Sequence, residues 1–166
     1  LQHVVENRQS GVVTEMTRGC RLRAEAKTSS SPKLRSSVIF SAAHPDSQSF
    51  LRFFNAGQTA GVAAVDMRDS ASGRILGRWI SPPIPAGSVQ QYSVTVLEAA
   101  LPADLPKPRY YSLLVQSDFD GFFQNILRHD GDGTLTNLSL CDNGVVAERG
   151  RGVGVHGSLF DSDYPS

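Results

Sequence analysis

The chain has 166 residues, 40% of them hydrophobic, which is enough for one sizeable domain or for one domain with fragments of others. Its 16 Lys and Arg residues balance its 16 Asp and Glu residues, so it lacks the positive charge that non-specific nucleic-acid binding requires. No apolar run reaches the roughly 18 residues of a membrane-spanning helix, and no signal-peptide pattern is present. We therefore expect a chain that neither binds nucleic acid nor spans a membrane.

The N-terminal residues resemble an internal part of the same chain. Residues 1–17 align without gaps on residues 123–139, and one residue of slack later Cys20 aligns on Cys141. Three residues are identical in this alignment, Gln2 with Gln124, Gly11 with Gly133 and Thr14 with Thr136, and apolar residues such as Val4 and Ile126 also align. At the other end of the chain, residues 155–166 align on residues 38–49.

Both alignments have offsets of about 120 residues, the kind of period that indicates a tandem repeat. This interpretation predicts five segments: a terminal hairpin of a preceding repeat (1–20), a linker (21–35), a complete repeat (36–142), a Gly-rich linker (143–154) and the first strand of a following repeat (155–166). The chain would then be part of a longer precursor. The alternative is a single domain whose hairpins resemble one another by chance.

Short apolar or alternating stretches separated by turn residues predict eight strands, at residues 37–42, 49–55, 61–68, 75–80, 91–97, 110–116, 121–128 and 134–141. The only helix-like stretch is residues 98–103, and the Pro-rich residues 81–87 suit a crossing between two sheets. This spacing of strands and turns is typical of an all-β, antiparallel, immunoglobulin-like β-sandwich.

Alternation also predicts which side chains are buried. In the strand at 61–68 the buried side should be that of Ala63, Val65 and Met67, and we expect Trp79 in the core. In the strand at 91–97, the same reasoning places three side chains inward, those of Tyr92, Val94 and Val96.

The two cysteines leave several possibilities open. Cys20 and Cys141 could form one disulfide within the chain. If they hold equivalent positions in successive repeats, however, they should lie farther apart than the roughly 7 Å between Cα atoms that a bridge tolerates. Each could then pair with a neighbouring unit or stay free and buried.

Four aspartates are the best candidates for a metal site. Asp130 and Asp132 lie in one turn and Asp118 and Asp120 in another, an alternation of carboxylates that suits calcium. An EF-hand is excluded, because the position of its bidentate Glu is occupied by Cys141 or His129, counting from Asp130 or Asp118. The two pairs should lie about 25–30 Å apart, at ~3.3 Å per residue of the strand between them. We predict Asp130 and Asp132 as candidate calcium ligands, with simple hairpin-turn chemistry as the competing interpretation.

No catalytic pattern stands out. The four histidines, at positions 3, 44, 129 and 156, lack metal-ligand spacing, and no nucleophile elbow is present. Residues 152–157 match a dinucleotide-binding glycine pattern, but no helix pattern follows them, so a flexible linker is favoured. His44 beside Asp46 is the one local pair that a hydrolase could use, and Asn137 begins a glycosylation sequon inside a predicted strand.

Three stretches together resemble a known kind of domain. Residues 49–66, 75–87 and 121–141 are similar to repeat domains of secreted or surface-displayed bacterial proteins with immunoglobulin-like folds. The resemblance implies a non-enzymatic spacer, fibre or adhesive module, extracellular, on the cell surface or periplasmic, without cofactor or small-molecule substrate. Its partners would be neighbouring repeats or protein subunits. The alternative is a carbohydrate- or calcium-dependent binding domain.

An isolated hairpin is marginally stable in water. We therefore expect residues 1–20 to pair with another sheet edge, in this chain or in a neighbour, by β-strand addition.

Overall fold

The computed structural model describes residues 3–24 and 35–139, which form eleven strands and one short helix. In chain order these are β1 (Val4–Glu6), β2 (Val13–Glu15), β3 (Cys20–Leu22), β4 (Arg35–Phe40), β5 (Ser47–Asn55), β6 (Ala63–Asp69), β7 (Ile75–Ile80), β8 (Val89–Ser93), α1 (Val94–Glu98), β9 (Tyr110–Ser117), β10 (Gly121–His129) and β11 (Leu135–Asn137).

Two antiparallel sheets make the sandwich. One has the order β4-β9-β6-β7. The other has β8 at one edge, then β5 and β10, and its far edge is formed by β11 and β3, which pair with different parts of β10. The predicted all-β, antiparallel sandwich is therefore confirmed at the level of architecture.

The core lies between the two sheets. Phe53 of β5 stacks on Trp79 of β7 with ring centroids 6.4 Å apart, and it contacts Phe123 of β10 at 6.0 Å. Ala63, Val65 and Met67 are fully buried as alternation predicts, and Trp79 is buried too. The Pro-rich residues 81–87 lead from β7 in one sheet to β8 in the other, the crossing that their composition indicates.

Two neighbouring predicted elements are wrong. The stretch 91–97 is not a single strand, because β8 ends at Ser93 and α1 follows at once. On the helix, Val94, Leu97 and Glu98 share the buried side, as the spacing i, i+3, i+4 requires, and Val96 is 45% exposed instead of buried. Over so few residues, alternating polarity fits one turn of helix as well as a strand. The prediction therefore took residues 94–97 as part of a strand and placed the helix at 98–103.

Three hairpins share one turn geometry, at Asn7–Val12, Asp69–Arg74 and His129–Thr134. In each, the first residue's N–H donates to the sixth residue's carbonyl at 2.9 Å, and the fifth residue's N–H donates to the first residue's carbonyl at 2.8 Å. The fifth residue is Gly11, Gly73 or Gly133, at φ of 71°, 71° and 70°. Glycine is needed there because this left-handed conformation strains other residues.

The first two strands form a separate two-stranded sheet, which lies beside β11 rather than pairing with it. Asn7 donates to the carbonyl of Asp132 at 2.7 Å, and Thr14 donates its hydroxyl to the carbonyl of Leu135. We call residues 3–24, which comprise this hairpin and β3, the N-terminal arm.

Some predictions fall outside the described residues, namely the Gly-rich linker at 143–154, the strand at 155–166, and Cys141. Within the described residues, β3 extends into the segment predicted as the linker 21–35, and β4 begins at its last residue. No helix among the residues described is both long and apolar enough to cross a membrane.

Candidate functional site

The most informative site is the edge of β10 that faces away from β5. Two segments far apart in sequence share it. β11 pairs with the second half of β10, from Asn137 opposite Ile126 to Leu135 opposite Arg128. β3 pairs with the first half, in the register Leu22 opposite Gly121 and Cys20 opposite Phe123.

The side chains of β3 complete the core. Cys20 and Leu22 are 0% and 3% exposed and belong to the main hydrophobic cluster, whereas Arg21 points outward and is exposed. This is the alternation of a half-buried edge strand. Burying Leu22 stabilises the docked strand by about 2 kcal/mol relative to leaving it in water.

Polar side chains of the sandwich bind the backbone on both sides of β3. Gln124, between the two ladders on β10, donates its amide to the carbonyls of Met16 and Arg18. Asn137 of β11 donates to the same Arg18 carbonyl at 3.0 Å. Beyond β3, the Asp120 carboxylate accepts the N–H of Ala24 at 3.0 Å. The backbone from residue 16 to residue 24 is therefore held at three points by side chains and by a ladder between them.

A shallow groove of about 410 Å³ follows this edge. On one side the ring of Phe122 stacks on Phe54, with centroids 4.1 Å apart and planes 16° from parallel. At the start of β10, Gly121 allows a close approach, because a Cβ there would lie 1.9 Å from the carbonyl oxygen of Phe54. The remaining residues that line the groove are Thr17, Gly19, Arg21, Leu22, Ala56 and Asp120.

The structure answers part of the question whether the two cysteines are bonded or free. Cys20 is disulfide-bonded. No free cysteine occurs among the described residues. Cys141, the chain's other cysteine, lies outside the described residues.

Asp130 and Asp132, the predicted calcium ligands, lie in the turn between β10 and β11, where their carboxylates accept hydrogen bonds from neighbouring residues. Asp130 accepts a hydrogen bond from Arg128 at 3.1 Å. Asp132 accepts the hydroxyl and the N–H of Thr134 at 2.6 and 2.9 Å, and these bonds, the hydroxyl first, lower the pKa of its carboxyl. Across the part of the chain that is described, no group of three His, Cys, Asp or Glu side chains could hold a metal ion.

Asp132 holds the turn position that serine holds in the other two hairpins. Ser10 and Ser72 each accept the N–H of the residue two positions on with their hydroxyl oxygens, as Asp132 does with its carboxylate. The aspartates of the other turn are also used locally, since Asp118 accepts the N–H of Val62 at 2.6 Å and Asp120 accepts that of Ala24. The calcium site remains a prediction. The contacts seen for all four carboxylates are hydrogen bonds that stabilise turns and loops.

His44 does not contact Asp46 in any hydrogen bond that the structure shows. Its Nδ1 instead lies 2.6 Å from the hydroxyl of Ser47, and its ring packs on Phe40 at a centroid distance of 4.4 Å. Ser47 is only 6% exposed, at the start of β5. A nucleophile needs access to its substrate, so this pair suits a loop anchor better than an acyl-transfer site.

Two polar clusters, one of them buried, were not foreseen from the sequence. Glu98, at the end of α1, accepts the Tyr111 hydroxyl at 3.0 Å and the N–H of Ala42 at 2.9 Å, and Lys107 lies 2.7 Å from its other oxygen. Burial, followed by this bond to Glu98, raises the pKa of Tyr111, so the phenol stays a donor.

The second cluster is an ion pair on the outer face of the four-stranded sheet. Arg78 binds Asp66 through two parallel hydrogen bonds of 2.5 and 2.9 Å. A cross-strand pair at the register Asp66–Arg78 could have been suggested from the predicted hairpin. The Glu98 cluster could not, because it joins the misplaced helix to strand β9 and to two loops.

No protein-family model, curated protein or solved structure matches this chain. Any function proposed for it therefore rests on the geometry of the described residues and on the sequence pattern.

Proposed function

We propose that this chain is a non-enzymatic structural and interaction module of a secreted or cell-surface tandem-repeat protein, whose units associate by β-strand addition. The observation that supports the proposal most strongly is the strand β3. It comes from outside the predicted repeat, it pairs with the edge of β10, and it completes the core with Cys20 and Leu22.

The surroundings of β3 fit an addition site better than a reaction site. The side chains of the sandwich that bind the backbone on either side of β3 are two amides and a carboxylate, those of Gln124, Asn137 and Asp120. Recognition through the backbone, with alternate side chains inserted into the core, is the general mode by which sheets accept an added strand.

The tandem arrangement rests on the alignment of residues 1–17 with residues 123–139. The turns at Asn7–Val12 and His129–Thr134 have the same hydrogen bonds and the same glycine conformation. The turn at Asp69–Arg74 shares them too, so turn geometry alone does not distinguish a repeat from a recurrent hairpin type.

The mass and location of the intact polypeptide test the proposal. An antibody raised against this chain should detect, outside the cytoplasm, a polypeptide larger than 17.9 kDa by whole units of about 120 residues. A polypeptide of 17.9 kDa confined to the cytoplasm would contradict it.

A further inference from the structure

The N-terminal arm precedes the sandwich in the sequence, and a single connector joins the two. Every described contact of the arm with the sandwich comes from residues 3–24, and β4, the next strand in the chain, belongs to the other sheet. Residues 25–34 join the two. Fully extended, ten residues reach at most about 36 Å, which exceeds the ~10 Å between the two sheets of a sandwich.

The arm occupies positions that the hairpin β10–β11 leaves open. The β11 ladder ends at Asn137, and Leu138 still donates its N–H to the carbonyl of Asn125 at 2.8 Å. Two residues further along β10, at Phe123, the partner is Cys20 of the arm. The first half of the β10 edge is thus an acceptor for a strand that is not part of the hairpin.

This acceptor recognises features that any copy of the chain carries. It takes two apolar side chains inward, binds carbonyls of residues 16 and 18, and binds the N–H of residue 24. The hairpin part of the arm adds side-chain bonds, such as that from Asn7 to Asp132, and the buried side chain of Met16, which is 2% exposed. Exchange of the arm between two copies would therefore preserve all of these contacts.

We propose that the N-terminal arm is an exchangeable donor, so that β3 of one copy completes the five-stranded sheet of a second copy of this chain. This inference rests on the proposed function, since it names the partner of the same strand-addition site. The balance between closed monomer and exchanged dimer depends on protein concentration. Because Cys20 is disulfide-bonded, the exchange is tested under reducing conditions, in which no covalent bond holds the arm.

Docking in trans tests the inference directly. The probe is a synthetic peptide of residues 3–24, added with reductant to the full-length Leu22→Asp chain, whose own arm carries a charge at a core position. We expect the peptide to slow amide exchange at Gly121–Phe123 by about tenfold or more. A peptide carrying Leu22→Asp should have no effect, and one carrying Arg8→Asp, in the exposed turn between β1 and β2, should act like the unmodified peptide.

Two results would overturn the inference. One is that the unmodified peptide leaves exchange at Gly121–Phe123 unchanged, and the other is that the Leu22→Asp peptide works equally well. If the Leu22→Asp chain does not fold, as judged by its circular dichroism, the Leu22→Ala chain takes its place.

The reduced wild-type chain provides a second measurement. After refolding at increasing concentration it should show a growing dimer fraction by light scattering, and monomer at every concentration would contradict exchange. Failure of either experiment leaves the mass and location of the intact polypeptide untouched, so the proposed function and the exchange are tested separately.

Discussion

The hairpin of β1 and β2 and the hairpin of β10 and β11 align in sequence and have the same turn, but Val4 and its counterpart Ile126 differ in exposure. Val4 and Val13 are 45% and 62% exposed, whereas Ile126, the counterpart of Val4, is 1% exposed. The turn is a local property, set by a glycine and by side chains that bind the backbone. Burial is a property of the sheet that the hairpin joins.

The reason for the difference lies in the neighbours of each hairpin. β10 has β5 along one edge and β11 and β3 along the other, and Gln124, on the outer face, is covered by the arm. Within the described residues, β1 and β2 have only each other as strand partners. The arm is therefore held mainly by its last strand, β3.

The largest effect should come from matched truncations in the two hairpins. We expect Ile126→Ala to lower the free energy of unfolding by about 3 kcal/mol, because a buried side chain leaves a cavity. Val4→Ala, at the equivalent and exposed position, should change it by less than about 0.5 kcal/mol. Urea denaturation measures both, and equal effects would show that the two hairpins are equally integrated.

Gly121→Ala should damage the acceptor edge. The new Cβ would lie 1.9 Å from the carbonyl oxygen of Phe54, and that backbone cannot move without disturbing β5, so we expect a loss of about 2 kcal/mol. Gly131→Ala is the control, since a Cβ there meets nothing within 4 Å. Thermal unfolding should leave the control unchanged, and a tolerated Gly121→Ala would exclude the close approach.

Substituting alanine for the turn glycines tests whether strain in each hairpin lowers the stability of the whole sandwich or only that of the hairpin. Gly133→Ala should cost about 1 kcal/mol, the strain of a left-handed residue, and global unfolding should report it. Gly11→Ala carries the same local strain, but we expect it to lower global stability less, because its hairpin can open while the sandwich stays folded. Native-state hydrogen exchange distinguishes the two, and identical global losses would contradict the comparison.

The third hairpin allows a test by pH. Hydrogen bonds from Ser72, its N–H first, lower the pKa of the Asp69 carboxyl. This contribution is present above the unfolded pKa of about 4 and is lost as pH falls through the lower, folded pKa.

Asn7 occupies the same turn position without a titrating group. Asp69→Asn should therefore flatten the loss of thermal stability below about pH 4. An unchanged acid profile would show that this carboxylate does not contribute to the pH dependence.

The smallest expected effect is that of calcium. Because Arg128 and Thr134 already bind the carboxylates of Asp130 and Asp132, millimolar calcium should shift the melting temperature by less than about 1 °C. A clear rise that Asp130→Asn and Asp132→Asn both abolish would instead establish the predicted ion site.

Much of the sandwich could be predicted because its signals are local. Alternation gave the buried side of β6, the prolines marked the crossing at 81–87, and glycine marked the hairpin turns. Helix α1 was missed because its five residues are too few for the periods of strand and helix to separate.

The strand-addition site could be anticipated only in outline. An unpaired terminal hairpin implies that some sheet edge receives it. The sequence could not show that β3 supplies the ladder, because Arg21 and Leu22 lie in a basic, polar segment with the composition of a linker. Three residues of strand carry no periodic signal, and their pairing with β10 depends on contacts about 100 positions away in sequence.

Hydrogen exchange on the intact wild-type chain tests most directly whether β3 holds the arm. We predict that the amides of Cys20–Leu22 exchange nearly as slowly as those of Gly121–Phe123, while those of Val4–Glu6 exchange much faster. Exchange at Cys20–Leu22 as rapid as in a free peptide would show that β3 is no part of the sandwich, and the account built on it would be wrong.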